Sequence, residues 1–370
     1  MAAPSFPGRL IGFCALLIAL VVAGPREASG TTEGVPDSMA AMGDSITRAY
    51  NADSSMFGDQ PQNSWSTGTN STVQSQYFRI LQSNPAISGR NHNMAVSGAK
   101  MSDLNGQATN VNAIPGGVDY MTILMGANDV CTPTEGEMTP VATFRSQFVT
   151  AMNTLTAGTP TARIALLSIP DVYVLWEVLH TNGSAVFVWS FASICQSLLN
   201  APTSMDQGDV DRRARVRQRN IEFNTQLAEA CALYPQCKFD DNAAFNYQFV
   251  PSEISTIDYF HPSLSGQIAL ATESWKLFDM DQDGWRSGAE STIGTDALDD
   301  CADDTASAAW PPDFNNDNSV TGADLSAVAA DIGKSVPPAP VRKDIAPDPP
   351  DSAITGADLS AVAGVIGTAC

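Results

Sequence analysis

Met39-Ala40-Ala41-Met42-Gly43-Asp44-Ser45-Ile46-Thr47 decides how the rest of the chain is read. A short apolar run closing on Gly-Asp-Ser predicts a buried strand ending in a tight turn. Ser45 would then stand at the strand's C-terminal edge, where open α/β sheets gather their reactive groups. Taken alone, the same triplet is also an ordinary turn or helix N-cap. Its meaning rests on what lies downstream.

Outward from that stretch, short apolar runs alternate with helix-like segments. The runs at Met39–Met42, Asn93–Val96, Tyr120–Met125, Arg163–Ile169 and, more weakly, Lys238–Phe239 predict strands. Helical periodicity covers Gln74–Gln82, Val141–Leu155, Val210–Tyr234 and Leu264–Phe278. This alternation predicts an α/β fold with a parallel sheet between helices. The arginines at 212, 213, 215, 217 and 219 are interleaved with Ile221, Phe223, Leu227 and Cys231, which predicts an amphipathic surface helix rather than a nucleic-acid patch.

The net charge of −21 excludes nucleic acid and anionic membrane as natural partners, because both need a basic surface. The charge is uneven: Asp279–Cys370 carries 17 acidic residues against 4 basic ones. At the N-terminus, Arg9 precedes an apolar run from Leu10 to Ala23, followed by small residues, as in an export signal. The expected protein is secreted, with no transmembrane segment in the mature chain. Beyond Cys14, which lies inside that run, six cysteines remain. An even set in an exported chain favours disulfides. The sequence does not choose among the pairings; proximity suggests Cys231–Cys237 and Cys301–Cys370, leaving Cys131–Cys195.

The partner that gives Ser45 its meaning is Ser255-Thr256-Ile257-Asp258-Tyr259-Phe260-His261-Pro262-Ser263. A serine hydroxyl is a poor nucleophile until a base accepts its proton, and that base needs a carboxylate to fix its tautomer. Asp258 and His261 stand at a helix entrance, where Pro262 suits the first helical position. His92 has no acid at a suggestive spacing. Tyr120–Met125 runs into Gly126-Ala127-Asn128-Asp129, so the Asn128 amide is placed to donate to a developing oxyanion. Ala95-Val96-Ser97-Gly98-Ala99 offers a glycine whose backbone N–H can approach the same charge.

The ordered set of Gly-Asp-Ser, strand-then-Gly, Gly-x-Asn-Asp and Asp-x-x-His-Pro resembles the SGNH (GDSL-type) hydrolases over about Met39 to Gln267. Gly-Ala-Asn-Asp-Val-Cys is similar to the matching block of phospholipase-B-like members. The resemblance implies a three-layer α/β/α, flavodoxin-like sheet that hydrolyses esters with no catalytic cofactor. By block, Ser45 is the implied nucleophile, His261 the base and then acid, and Asp258 its orienting carboxylate. The implied oxyanion hole comprises the Ser45 and Gly98 backbone N–H groups and the Asn128 side chain.

From Asp279 the texture changes. Asp279, Asp281, Asp283 and Glu290 fall at positions 1, 3, 5 and 12 of a loop with Gly284 at position 6, which matches the oxygen-rich calcium template. Gly294–Asp299 resembles thrombospondin-type-3-like repeats. Thr321–Ala329 recurs as Thr355–Ala363, marking a duplicated loop–helix unit. Asp313, Asn315, Asp317 and Asp324 give the first copy a second candidate calcium loop that resembles a dockerin half. In the second copy, Asp344, Asp348 and Asp358 align only around an insertion. The expected organisation is an export signal at 1–30, a hydrolase domain at 31–278, a calcium loop at 279–300 and a dockerin-like module at 301–370. The resemblance leaves a cohesin-like or cell-surface partner open for that module. The leading reading is a secreted carboxylic-ester hydrolase with structural Ca2+. The alternatives are a polysaccharide deacetylase-type esterase of the same fold, and a calcium-dependent attachment protein with an inactive hydrolase domain. Trp65, Trp176 and Trp189 are candidates for a lipid or sugar site, with core packing their more ordinary use.

Overall fold

Met39–Gly43 (β1) is buried at every position, which is what a run of small and flexible apolar side chains allows when sheet neighbours flank it on both sides. The computed structural model describes Met1 and residues 35–276, 278–281, 283–302, 304–347 and 350–370. The export signal, Cys14 and Asp348 lie outside the described residues. Thr32–Cys370 forms one compact unit.

Four further strands complete the sheet: Asn91–Asn93 (β2), Tyr120–Leu124 (β3), Arg163–Leu166 (β4) and Cys237–Phe239 (β5). All pairs are parallel, in the order β2-β1-β3-β4-β5. The order reverses beside β1, and the crevice beyond its C-terminal end is the natural ligand position in such a sheet. Alternate residues of β3 face opposite layers. Tyr120 and Thr122 meet one of them: the Tyr120 hydroxyl bonds to Gln76 Oε1, and Thr122 Oγ1 lies 2.6 Å from Ser66 Oγ. In that layer, Gln76 of the helix Gln76–Ser83 donates to Ser274 Oγ of the helix Leu264–Trp275 at 2.8 Å. In another layer, helix Val141–Gly158 packs against both Leu104–Asn112 and Gln207–Cys231. Phe144 and Phe223 stack across the latter contact, with ring centroids 3.9 Å apart. The result is the expected three-layer α/β/α fold.

Two local expectations change. The second strand lies at Asn91–Asn93, ahead of Asn93–Val96. Beyond it the chain still follows β1, with Met94 N–H donating to Ala41 O and Val96 N–H to Gly43 O, but Val96 is exposed. The arginine-rich helix is amphipathic, yet Arg213 points inward, over the Trp176 ring at 4.3 Å, while Ile221 faces solvent. Trp65 and Trp189 are fully buried and Trp176 nearly so, so all three serve packing. Disulfides join Cys131–Cys195, Cys231–Cys237 and Cys301–Cys370. Among the described residues no helix is long and apolar enough to cross a membrane.

The repeated segments form the helices Gly322–Ala329 and Gly356–Gly364, which pack together. Each starts with the same reciprocal cap, Thr321 with Asp324 and Thr355 with Asp358. Val320, Val328, Ile354 and Val362 build a small core between them. Phe278, Met280, Ala297 and Leu298 belong instead to the main core.

Gly43 ends β1 where no side chain fits. A Cβ there would stand 2.4 Å from the Leu124 carbonyl oxygen and 2.7 Å from Thr47 Oγ1. Backbone cannot yield as a flexible side chain does, so Gly43→Ala is expected to lower unfolding stability by about 1–3 kcal/mol in a urea titration.

Candidate active site

β1 delivers its terminal residues under tight control. The Gln107 side chain bonds to both backbone groups of Gly43, accepting from its N–H at 2.8 Å and donating to its carbonyl at 2.8 Å. Asp44 then turns inward, where Oδ1 accepts from Ile46 N–H at 2.9 Å. Ser45 follows at the mouth of the crevice. Gln267, on the helix that follows His261, donates to the Ile46 carbonyl at 2.9 Å and accepts from Trp65 N–H at 2.9 Å. The serine turn and the histidine helix are thereby pinned to each other.

The second arm is the loop Ser255–Pro262. Ser255 N–H donates to His261 O at 2.8 Å and Tyr259 N–H to Ser255 O at 2.9 Å, closing the loop on itself. Tyr259 adopts φ +55°, and the Trp189 indole donates to its carbonyl at 2.9 Å. This bend turns Asp258 and His261 toward one another.

The three side chains form a line. Ser45 Oγ lies 2.8 Å from His261 Nε2, and His261 Nδ1 lies 2.7 Å from Asp258 Oδ2. Asp258 Oδ1 accepts from the backbone N–H groups of Phe260 and His261 at 2.9 and 3.0 Å. Burial pushes the Asp258 carboxyl up, but His261 and the donors around it outweigh that and hold it below its ordinary value. With Asp258 ionised, the Nδ1–H tautomer is favoured and Nε2 is left to accept the serine proton.

Sequence reasoning missed Asn51. Its amide donates to Asp258 Oδ2 at 2.6 Å, on the same oxygen that holds the imidazole. Its own Oδ1 accepts from Gly58 N–H at 2.8 Å, its carbonyl accepts from Ser255 Oγ at 2.6 Å, and its backbone has φ +55°. Asn tolerates that left-handed conformation better than most residues. This preference is the only local signal in Tyr50-Asn51-Ala52. Gln107 and Gln267 were missed too, and Trp189, read as a substrate-site or core candidate, instead holds the Tyr259 carbonyl.

Asn128 lines the pocket with Ser45 and His261. One of its amide hydrogens bonds to Ala99 O at 2.9 Å, and the same NH2 carries a second. Gly98 precedes Ala99 with φ +83°. Among the described residues, neither the Ser45 nor the Gly98 backbone N–H donates to a protein acceptor. Such donors suit an anion developing on a substrate. The pocket wall is apolar, built by Ile46, Val172, Leu175, Phe249, Ile254 and Phe260.

Two carboxyls behind the line are also buried. Burial pushes Asp44 up to about 7, and its Oδ2 has no hydrogen-bond partner. Asp129 is likewise raised by burial, against donors from Thr139 Oγ1 at 2.6 Å and Met101 N–H at 2.8 Å.

The acidic loop makes a second centre. Carboxylate oxygens of Asp279, Asp281 and Asp283 lie within 4.8 Å of one another. Glu290 is fully buried, and Asp281 Oδ2, Asp283 Oδ2 and Glu290 Oε2 are buried without a hydrogen-bond partner. Burial, with mutual repulsion added, drives the carboxyls of Asp281, Asp283 and Glu290 upward. In the first repeat, Asp313 accepts from Asn318 N–H at 2.7 Å and Asn315 donates to Asp317 Oδ2 at 2.9 Å. Asp324 accepts from Phe314 N–H and Thr321 N–H, each at 2.9 Å. This set is engaged in loop and cap bonds.

A parallel α/β/α sheet with a serine, an imidazole and a carboxylate aligned at its C-terminal edge is the arrangement that serine-type acyl transfer requires. The family described as GDSL-like Lipase/Acylhydrolase matches residues 39–290, and the chain belongs to that family, a class of ester hydrolases. No curated protein matches the chain. Similar solved structures include an extracellular lipase from Streptomyces rimosus, at 19% identity and TM-score 0.37, covering 64% of this chain and 99% of that one. A phospholipase A1 from Streptomyces albidoflavus NA297 has 15% identity and TM-score 0.39, covering 64% and 98%. A family 3 carbohydrate esterase from Clostridium thermocellum has 13% identity and TM-score 0.39, covering 65% and 94%.

Asp44 gives the site a pH signature. At pH values below the ordinary 3.8, the carboxyl is protonated in both folded and unfolded chains. As pH rises toward about 7, the unfolded chain ionises first, so the folded state loses stability across that interval. Asp44→Asn cannot ionise. Its melting temperature relative to wild type is therefore expected to climb between pH 4 and 7, by roughly 1 kcal/mol of stability per pH unit. A difference independent of pH would contradict the assignment.

Proposed function

We propose that this protein is a secreted hydrolase of carboxylic esters, lipase or esterase in type, acting through an acyl-enzyme on Ser45. The observation that carries the reading is the unbroken line from Ser45 Oγ through His261 to Asp258, at 2.8 and 2.7 Å. In the first step His261 Nε2 takes the serine proton while Oγ attacks the acyl carbon. Asp258 stabilises the imidazolium and keeps its tautomer. The Ser45 and Gly98 N–H groups and the Asn128 amide receive the oxyanion. His261 then gives its proton to the departing alcohol. Water repeats the sequence in reverse to release the acid.

The apolar wall supports a hydrocarbon acyl chain as the bound half of the ester, in preference to an acetyl group on a sugar. The intact line of three side chains and its supporting bonds speak against the inactive-hydrolase alternative. The three disulfides support an oxidising, extracellular setting.

The reading includes a structural calcium ion held by Asp279, Asp281, Asp283 and Glu290, and no metal in catalysis. Three buried oxygens without hydrogen-bond donors support it: a hard cation is the partner such a set lacks. The two like-capped repeats support a dockerin-like module, with Asp313, Asn315, Asp317 and Asp324 as its candidate ligands. A cohesin-like or cell-surface partner for it is part of this reading.

Ser45→Ala is expected to abolish hydrolysis of p-nitrophenyl esters. Asn128→Ala should lower kcat by about 10²–10³ with a smaller change in KM. Wild-type turnover retained in Ser45→Ala would overturn the mechanism. For the metal, Trp285 lies inside the acidic loop and should sensitise bound Tb3+ luminescence, which Ca2+ displaces and Asp281→Asn abolishes. Chelation should lower the melting temperature well before it affects the initial rate. Silence in both measurements would remove calcium from the account.

A further inference from the structure

The helix Gly183–Phe191 has an outer face that its inner face does not explain. Inside, Trp189 is fully buried and ties the helix to the Tyr259 carbonyl, one residue from Asp258 and two from His261. Outside, Phe187 and Phe191 are 65% and 82% exposed, with their rings stacked at 5.8 Å. Exposing two phenylalanines one helical turn apart is costly in water unless something covers them.

Phe57, 74% exposed, meets the Tyr50 ring at 5.7 Å, and Tyr50 in turn lies 5.0 Å from the His261 ring. Val250, also exposed, adjoins the wall residue Phe249. Phe57 thus lies two ring contacts from the His261 imidazole.

Charge selects the occupant. From Val178 to Met205 there is no Asp, Glu, Lys or Arg, in a chain whose net charge is −21. No cation stands in that stretch to greet an anionic surface, and the whole molecule repels one. What fits is a surface with apolar interior and no net charge. We propose that the Phe187–Phe191 face seats the enzyme on a zwitterionic or neutral lipid–water interface. The pocket then opens toward ester held in that layer. The proposal rests on the ester-hydrolase reading above and extends it to how the substrate is presented.

The test separates binding from chemistry. Ser45→Ala, which leaves lipid intact, is co-sedimented with phosphatidylcholine vesicles and with phosphatidylglycerol vesicles. Binding to phosphatidylcholine is expected to exceed binding to phosphatidylglycerol. Adding Phe187→Ser and Phe191→Ser together should reduce that partition by about tenfold or more. Phe191→Ser alone, at the exposed helix end, should give part of the loss. Phe187→Leu with Phe191→Leu should largely preserve binding. With Ser45 present, these variants should hydrolyse soluble p-nitrophenyl acetate within about twofold of wild type while losing rate on lipid ester in vesicles. Equal partition of the serine variants and wild type, or preference for phosphatidylglycerol, would overturn the proposal. So would a wild-type dimer in sedimentation equilibrium that Phe191→Ser disperses, since the face would then belong to a second copy. Absence of p-nitrophenyl acetate hydrolysis by wild type would instead strike the ester-hydrolase reading, because vesicle binding is read without turnover.

Discussion

The hydrogen bond between Ser45 Oγ and His261 Nε2 joins residues 216 positions apart, and much of the local structure exists to keep it short. In the proposed mechanism, a shift of an ångström would leave the imidazole unable to take the proton as the attack begins. Hydrophobic packing alone is too tolerant to fix two loops so closely. The protein uses amide side chains instead. An Asn or Gln can donate and accept at once, so a single residue clamps two groups. Gln107 does this on Gly43, Gln267 between Ile46 and Trp65, and Asn51 between Gly58 and Asp258. Each clamp is buried, where an unmade hydrogen bond is expensive and the geometry is correspondingly unforgiving.

Burying carboxyl groups demands a solution each time, and this chain uses three. Asp258 is surrounded by donors and stays ionised below its ordinary value despite burial. Asp44 has one donor and a partnerless oxygen, so it holds its proton up to about pH 7. Asp281, Asp283 and Glu290 have neither enough donors nor separation from one another, which leaves protonation or a cation. The same residue type therefore serves as orienting anion, neutral filler and candidate metal ligand, according to what surrounds it.

The legible parts of the sequence were those whose signal is local. β1, β3 and β4 announce themselves as apolar runs because the sheet buries them on both faces. Asp258 and His261 could be paired because one loop carries both. The edge strand Asn91-His92-Asn93 was misplaced because it is polar and half-buried, with no apolar run to mark it. Arg213 was read as surface because a lone arginine among four others gives no hint that Trp176 will lie beneath it. Asn51 was invisible for a deeper reason: its role is defined by Asp258, and only the fold brings that residue back.

The position of the acidic loop explains why a cation there should matter to stability rather than to chemistry. Phe278 and Met280 pack into the main core, and the Arg163 guanidinium bonds to the Met280 carbonyl. Arg163 opens β4, at the strand end opposite to the one from which the pocket wall continues. The length of β4, about 3.3 Å per residue, separates that contact from the catalytic edge. Repulsion among the loop's carboxylates would loosen Phe278 and Met280 and weaken the start of β4. The clamps on Gly43, Ile46 and Asp258 are fastened at the other edge of the sheet and do not run through the loop. A rigid sheet with its two ends given different work can lose support at one end before it misplaces an atom at the other.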